Sequence, residues 1–418
     1  MNWILGLLLG LLIIDGFPAG ADLLREFGSR PDNILLAAVG AFILVKRWLE
    51  QRDVLAVPHA TFNRLLLLFL VVPLINVPIA IYCSPTSVDE VIGTWFKQYA
   101  MLVWACLSFY VWRDLLKSRS SYNVALTAVV ASAPALAMFY VELIAPDSPL
   151  MLAADVMRFK EDARPSGFAT EPSVYASWTL VIWPLALLVT NSSPTAWIRW
   201  FARLFLLAMF ASIYLCNART AAGIGILQVL FYMSWAFRRG RIGVGTASGI
   251  VVTLAALPLV LIKLATVADL QSNLSNIARI GSTVAGVLIT ADYPLFGVGI
   301  GQFKYFLASY APAFATVSDE ISAWGDGSAT FRASTFNLFV RLLCEFGVIA
   351  GGIACWLLAR PLVRSFTRSR TLGQACVTLS AIGGFGFWLM QDQYAYQPGI
   401  FAFALLVIAT ERGEAVTA

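Results

Sequence analysis

Charge is scarce in this sequence. Only 13% of its 418 residues are Asp, Glu, Lys or Arg, while 59% are hydrophobic and the mean hydropathy is +0.77. That balance excludes an ordinary soluble globular domain. Histidine is nearly absent too, with His59 the one example. The six cysteines form no Cys-x-x-Cys pair. Cys106, Cys344, Cys355 and Cys376 fall inside apolar runs as small core residues, whereas Cys83 and Cys216 lie near run ends, where pairing is the less favoured alternative. No long series of short segments alternates with period two, so a lipid-facing barrel is excluded. No Lys or Arg precedes the apolar stretch Trp3–Ile14, which reads as a retained first helix rather than a cleaved signal. Low-complexity segments, linkers and internal repeats are likewise missing, so residues 1–418 read as a single integral membrane domain.

What is there is a succession of apolar runs of bilayer-spanning length. Candidate spans are 3–20, 31–48, 62–82, 94–112, 122–145, 172–190, 199–216, 219–237, 242–264, 337–359, 374–391 and 396–411. The expected fold is all-α, a polytopic transmembrane bundle of about twelve helices. Asp15 and Pro18 make the first span the weakest. Orientation follows from the basic residues. Lys46, Arg47 and Arg52; Arg113, Lys117 and Arg119; Arg199 and Arg203; Arg238, Arg239 and Arg241; and Arg360, Arg364, Arg368 and Arg370 all fall in alternate connections. With those connections cytoplasmic, both termini are cytoplasmic and the polar stretch 265–335, between the ninth and tenth spans, is a long periplasmic loop with amphipathic helices within it. The net charge of +5 therefore reports topology and gives no sign of nucleic-acid binding. A polar excursion of that size is more often a lid or binding surface than a connector.

Basic residues that break the positive-inside bias are candidates for ligand contact. They are Arg158, Lys160 and Arg164, then Arg219, then Arg279, Lys304 and Arg332. Arg219 lies in Asn217-Ala218-Arg219-Thr220, a turn with almost no loop. It either snorkels to the interface or uses its planar donor fork on a phosphate. Arg279 precedes an apolar pattern at helical spacing (Ile280, Val284, Val287, Leu288) and is either a solvated charge on an interfacial helix or a second anion contact. In Pro294-Leu295-Phe296-Gly297-Val298-Gly299-Ile300-Gly301 the glycines suit close approach of backbone to a ligand, or an ordinary tight turn. Lys97 is an outer-end cation, either an interfacial anchor or an aid to substrate binding. Glu171, beside Pro172 at a helix start, either complements the helix dipole or orients and deprotonates a sugar hydroxyl. Asp292, Asp319, Glu320, Asp326 and Asp392 are weaker candidates for a base, being loop acids. Glu345 is spaced to pair with Arg341 one turn earlier.

Taken together, Arg164-Pro-Ser-Gly-Phe with Glu171-Pro-Ser, Asn217-Ala-Arg-Thr-Ala, Arg279 with Pro294-Leu-Phe-Gly-Val-Gly-x-Gly-x-Phe, and Phe336-Asn337-Leu-Phe with Glu345-Phe-Gly resemble, in order and spacing, the O-antigen polymerase and ligase superfamily. The similarity is strongest from about Arg164 to Gly352. It implies glycosyl transfer on the outer face of the bacterial inner membrane, between undecaprenyl-diphosphate-linked glycan donor and acceptor, without a metal or other cofactor. No Asp-x-Asp motif is found on the outer side. The resemblance assigns the donor diphosphate to Arg219 and Arg279; if a catalytic base is needed, Glu171 is the first choice among the carboxylates. Lys97, Arg164, Gly297, Gly299 and Asn337 are further substrate-binding candidates. Ligases of the superfamily carry His before the Asn of the tenth-span motif. This chain has Phe336 there, and His59 lies on the cytoplasmic side. The expectation is therefore a Wzy-type polymerase of O-antigen or exopolysaccharide repeats, with membrane lipid and a chain-length-regulating co-polymerase as compatible partners. A ligase-like transferase and a lipid-linked oligosaccharide transporter are the alternatives; a transporter would usually show repeats or mid-membrane charges.

Overall fold

The computed structural model describes residues 2–14, 31–49, 60–149, 151, 164–169, 171–240, 274–325 and 333–415. Among them the regular structure is entirely helical. In chain order the helices are α1 (Asn2–Leu11), α2 (Pro31–Leu49), α3 (Ala60–Cys83), α4 (Val88–Leu116), α5 (Ser121–Ile144), α6 (Pro172–Ser192), α7 (Ala196–Leu215), α8 (Arg219–Arg238), α9 (Leu274–Asp292), α10 (Phe303–Tyr310), α11 (Asp319–Gly325), α12 (Leu338–Arg368), α13 (Leu372–Trp388) and α14 (Gln397–Ala415). Five of them, α5, α6, α7, α8 and α12, are long and apolar enough to cross a membrane, which suits a helical membrane protein. The span expected at 242–264, His59, and the loop cations Arg158, Lys160 and Arg332 lie outside the described residues.

Helix α6 is the centre of the bundle. It is apolar on every side, as a helix must be when neighbours surround it, and Tyr175, Trp178 and Trp183 are buried in its contacts with α5, α7 and α13. Trp183 donates to Gln228 Oε1 at 2.8 Å, while Gln228 Nε2 donates to the carbonyls of Leu180 (2.8 Å) and Leu379 (2.6 Å). One amide so ties α8 to α6 and α13. The outside of the bundle is apolar as well. On α7, Trp197, Trp200, Leu204 and Leu207 are all more than 60% exposed. A face of that kind suits lipid and would be an aggregation hazard in water.

The two ends of the bundle are built differently. At one end Arg113 donates to both Glu411 carboxylate oxygens (3.1 and 3.2 Å), Arg412 donates to the carbonyls of Arg119 and Lys117 (2.7 Å each), and Trp235 donates to the Ser369 carbonyl (3.0 Å). The basic connections recognised in the sequence thus close on one another and on the last helix. At the other end lie the helix starts at Pro172, Arg219 and Leu338, together with α9, α10 and α11, which form a smaller apolar cluster of their own.

Helix α12 contains the sharpest departure from regularity. Gly347 has φ 79° and ψ 169°, so the helical ladder breaks there. The freed groups are taken up by the loop after α9: Val348 N donates to the Pro294 carbonyl (2.7 Å), Val298 N to Cys344 (3.0 Å) and Gly299 N to Glu345 (3.1 Å). Asn76 on α3 closes the joint by donating to the Phe296 carbonyl at 2.7 Å. Buried backbone groups in a membrane setting need partners of this kind.

Candidate functional site

Where α4, α6, α8, α9, α10 and α12 meet, a cavity of about 1000 Å³ opens. Its lining includes Lys97, Arg164, Glu171, Arg219 and Arg279, five of the residues singled out in the sequence. It also includes Lys304, Glu320, Arg341, Glu345 and Asp392. Gly297, Gly299 and Asn337 are not on the lining.

Each wall has a local cause. Asn217 adopts φ 57°, a left-handed residue closing α7, and the chain turns directly into α8 with Arg219 as its first helical residue. The side chain is half-buried at a helix N-terminus, and its Nη1 is buried with no hydrogen-bond partner among the described residues. A buried guanidinium nitrogen lacking an acceptor beside an uncapped helix start is a strong anion locus. Arg164 is held close by, donating to the Asn217 carbonyl at 3.4 Å. Its loop is anchored by Glu142, the lone charge in α5, which accepts from Ser166 N (2.9 Å) and Gly167 N (2.7 Å). Glu171 caps α6 by position only: no side-chain cap bond forms, and its carboxylate accepts from the Ser173 hydroxyl at 2.8 Å.

The opposite wall is the seam between α4 and residues 301–305. Hydropathy starts the fourth span near residue 94, but α4 begins at Val88 because Ser87 caps it and Asp89 and Glu90 favour its first turn. Lys97 therefore sits well inside the helix, not at its start. Thr94 Oγ1 and Tyr305 OH share a hydrogen bond of 2.9 Å, which sets Lys304 against this helix. Gly301, at φ 75°, permits the approach; a Cβ there would lie 2.6 Å from Gln98 Cγ.

Above, Arg279 stacks over Phe336, guanidinium carbon to ring centroid 5.0 Å, and Phe336 in turn meets Trp324 of α11 (5.7 Å). Stacking of this kind orients a guanidinium while leaving its edge donors available. Glu320 on α11 lies within electrostatic reach of Arg279 and Glu171. Partial burial raises its pKa above the usual carboxylate range, the Arg279 charge opposes this, and the Glu171 charge adds to it.

The floor is a closed ionic cluster. Arg341 donates from Nε to Glu345 Oε1 (3.1 Å), from Nη1 to the Asp392 carbonyl (3.0 Å) and from Nη2 to Gln98 Oε1 (2.8 Å), and its guanidinium lies 4.3 Å from the Tyr394 ring centroid. Tyr394 OH donates to Glu345 Oε2 at 2.6 Å. The spacing of Arg341 and Glu345 in the sequence is thus realised as an ion pair. Of the additional partners, Asp392 was a weaker candidate base in the sequence, whereas Tyr394 and Gln98 had no signal beyond lying near run ends. Asp392 also accepts from Thr335 N (2.8 Å), fixing the approach to α12.

Three substrate-binding candidates have other work. Gly297 and Gly299 approach protein backbone: a Cβ on Gly297 would lie 2.4 Å from the Cys344 carbonyl oxygen, and one on Gly299 2.5 Å from Ala80 Cβ. The Asn337 side chain caps α12, accepting from Phe339 N (3.0 Å) and Val340 N (3.1 Å). Asp292 accepts from Tyr310 OH at 2.7 Å, Asp319 is exposed, and Asp326 lies outside the described residues. Cys83 and Cys216 are free thiols.

Chemically, the cavity offers guanidinium and ammonium donors to an anion, with two carboxylates beside them that can accept a proton. Neither family models nor curated proteins yield a match to this chain.

Proposed function

We propose that the chain is a polymerase of undecaprenyl-diphosphate-linked oligosaccharide repeats, acting in a bacterial inner membrane. The cavity opens at its periplasmic face, both termini are cytoplasmic, and about twelve spans with one long periplasmic excursion make up the fold. What supports this is a single observation: Arg219 and Arg279, from separate parts of the chain, line one cavity together with Arg164, Lys97 and Glu171.

The acceptor hydroxyl oxygen attacks the anomeric carbon of the growing glycan, and the bond from that carbon to the phosphate oxygen breaks. The electron pair leaves with the lipid diphosphate, whose developing charge Arg219 and Arg279 stabilise in a partly dry site. Glu171 orients the hydroxyl and accepts its proton. Lys97 and Arg164 assist in holding the charged substrates. O-antigen and exopolysaccharide repeats fit this chemistry equally, and a co-polymerase that sets chain length is a compatible partner.

In a deletion strain, complementation with Arg219→Ala or Arg279→Ala is expected to abolish long polymer, since loss of one such donor costs on the order of 10²–10³ in rate. Normal polymer from both variants removes the proposal. Purified protein in liposomes with lipid-linked repeats separates the alternatives. Lengthened glycan supports polymerisation, leaflet exchange without lengthening a transporter, and glycan on a new acceptor a ligase.

A further inference from the structure

The cations of the cavity come from different parts of the fold. Arg164 and Arg219 stand on the α6–α7–α8 corner, with Glu171 beside them. Lys97 and Lys304 stand on the α4–α10 seam with Thr94, Gln98 and Gly301, and the lining acid at this seam, Glu345, accepts from Gly301 N and is paired with Arg341. Arg341 is already committed to Glu345, Asp392 and Gln98, and so packs against the α4 side of the cavity. That arginine is therefore neutralised within its own cluster, and the remaining arginines and lysines are carried on different elements.

The lysine wall is also built with care. The bond between Thr94 and Tyr305 ties the residue after Lys304 to α4 one turn before Lys97, and Lys304 Nζ rests 4.6 Å from the Tyr305 ring centroid. Gln302, buried, adds a second tie by donating to the Val91 carbonyl at 3.3 Å. Chemistry distinguishes the lysines from the arginines. A guanidinium fork grips a phosphate bidentately, whereas an ammonium is a strongly hydrated point charge.

Under the polymerase reading, on which this rests, each turnover brings two lipid diphosphates to the protein. The donor's must be gripped as charge develops on it. The acceptor's undergoes no bond change and needs only to be placed. The geometry points to Lys97 and Lys304 as a second anion-binding subsite, one that receives the diphosphate of the acceptor lipid while the arginine wall takes that of the donor.

The test crosses removal of the lysines with removal of the acceptor's charge. The donor is a polyprenyl-diphosphate-linked glycan whose non-reducing end is blocked as a methyl ether, so it cannot serve as acceptor. One acceptor is the polyprenyl-diphosphate-linked repeat; the other carries the same repeat as a nonionic polyprenyl glycoside. Wild-type protein should use the diphosphate acceptor roughly tenfold better in kcat/KM, the scale of one charge-assisted contact. In Lys97→Ala/Lys304→Ala that advantage should fall to about one, with use of the nonionic acceptor kept within about twofold. The single variant Lys97→Gln, an exposed change compatible with the helix, should lose part of the advantage.

An advantage that survives in the double variant, or a parallel fall on both acceptors, overturns the assignment while leaving the polymerase reading intact. The assignment fails equally if Arg219→Ala, and not the lysine variant, erases the preference. A wild-type protein that lengthens neither acceptor overturns the polymerase reading itself, and this subsite with it.

Discussion

Substituting Gly297 by Ala separates two meanings of the glycine-rich loop. If the loop approaches a ligand, the variant should fold normally and lose substrate affinity. If it approaches backbone, stability should fall first. At Gly297 φ is 67°, and an added Cβ would sit 2.4 Å from the Cys344 carbonyl oxygen and 2.6 Å from the Glu345 carbonyl carbon. A non-glycine residue in the left-handed region costs roughly 1–2 kcal/mol. Relieving the overlap moves the loop away from the α12 kink and stretches the bonds Val298 N to Cys344 and Gly299 N to Glu345, now 3.0 and 3.1 Å, each with a net worth of about 0.5–1.5 kcal/mol. The total is on the order of 2–5 kcal/mol, as the standard values for strain and hydrogen bonds imply. For a chain of this size that lowers the apparent Tm by roughly 5 °C. The assay is thermal unfolding of detergent-purified protein, followed by kcat/KM on whatever survives well below the transition. A variant that melts with the wild type but shows a raised KM refutes the backbone reading and returns the glycine to the substrate.

The floor cluster predicts non-additivity. Arg341→Met strands Glu345, 1% exposed, and should cost roughly 3–5 kcal/mol, whereas Arg341→Met/Glu345→Leu should recover most of the loss in Tm; purely additive losses would refute the coupling. Asn337→Ala removes a helix cap worth about 1 kcal/mol and should lower Tm without changing KM for either substrate. For Glu320 the folded protein binds the proton more tightly than the unfolded chain does, so its ionised form weakens the fold at high pH. Glu320→Gln should therefore raise the apparent Tm at pH 8, and the difference should close as pH falls below about 4, where the carboxyl is protonated in both states. A difference that grows on acidification would reverse the sign and refute the account.

The helices themselves were legible from hydropathy, because an apolar run of bilayer length has few alternatives to becoming a helix. Of the basic connections, the one holding Arg113, Lys117 and Arg119 packs against Glu411 and Arg412 of the last helix. Arg219, Arg279, Arg164, Lys97 and Glu171 stood out as charges at the wrong ends of apolar runs. The i, i+4 pair Arg341–Glu345 needed only helical spacing.

Convergence was another matter, since it depends on which helices lie side by side, and a sequence of apolar runs carries little information about lateral neighbours. Only packing decided that Lys304 stands beside Lys97, that Glu320 reaches the cavity, and that Glu142, a lone acid in an apolar run, anchors the loop of Arg164. Only packing assigned the glycines to backbone instead of ligand, because a positive φ serves either purpose and the partner is found elsewhere in the chain. Local burial and charge wrote the helices and their ends into the sequence; the gathering of cations from α4, α8, α9 and α10 around one cavity arose from contacts between residues hundreds of positions apart.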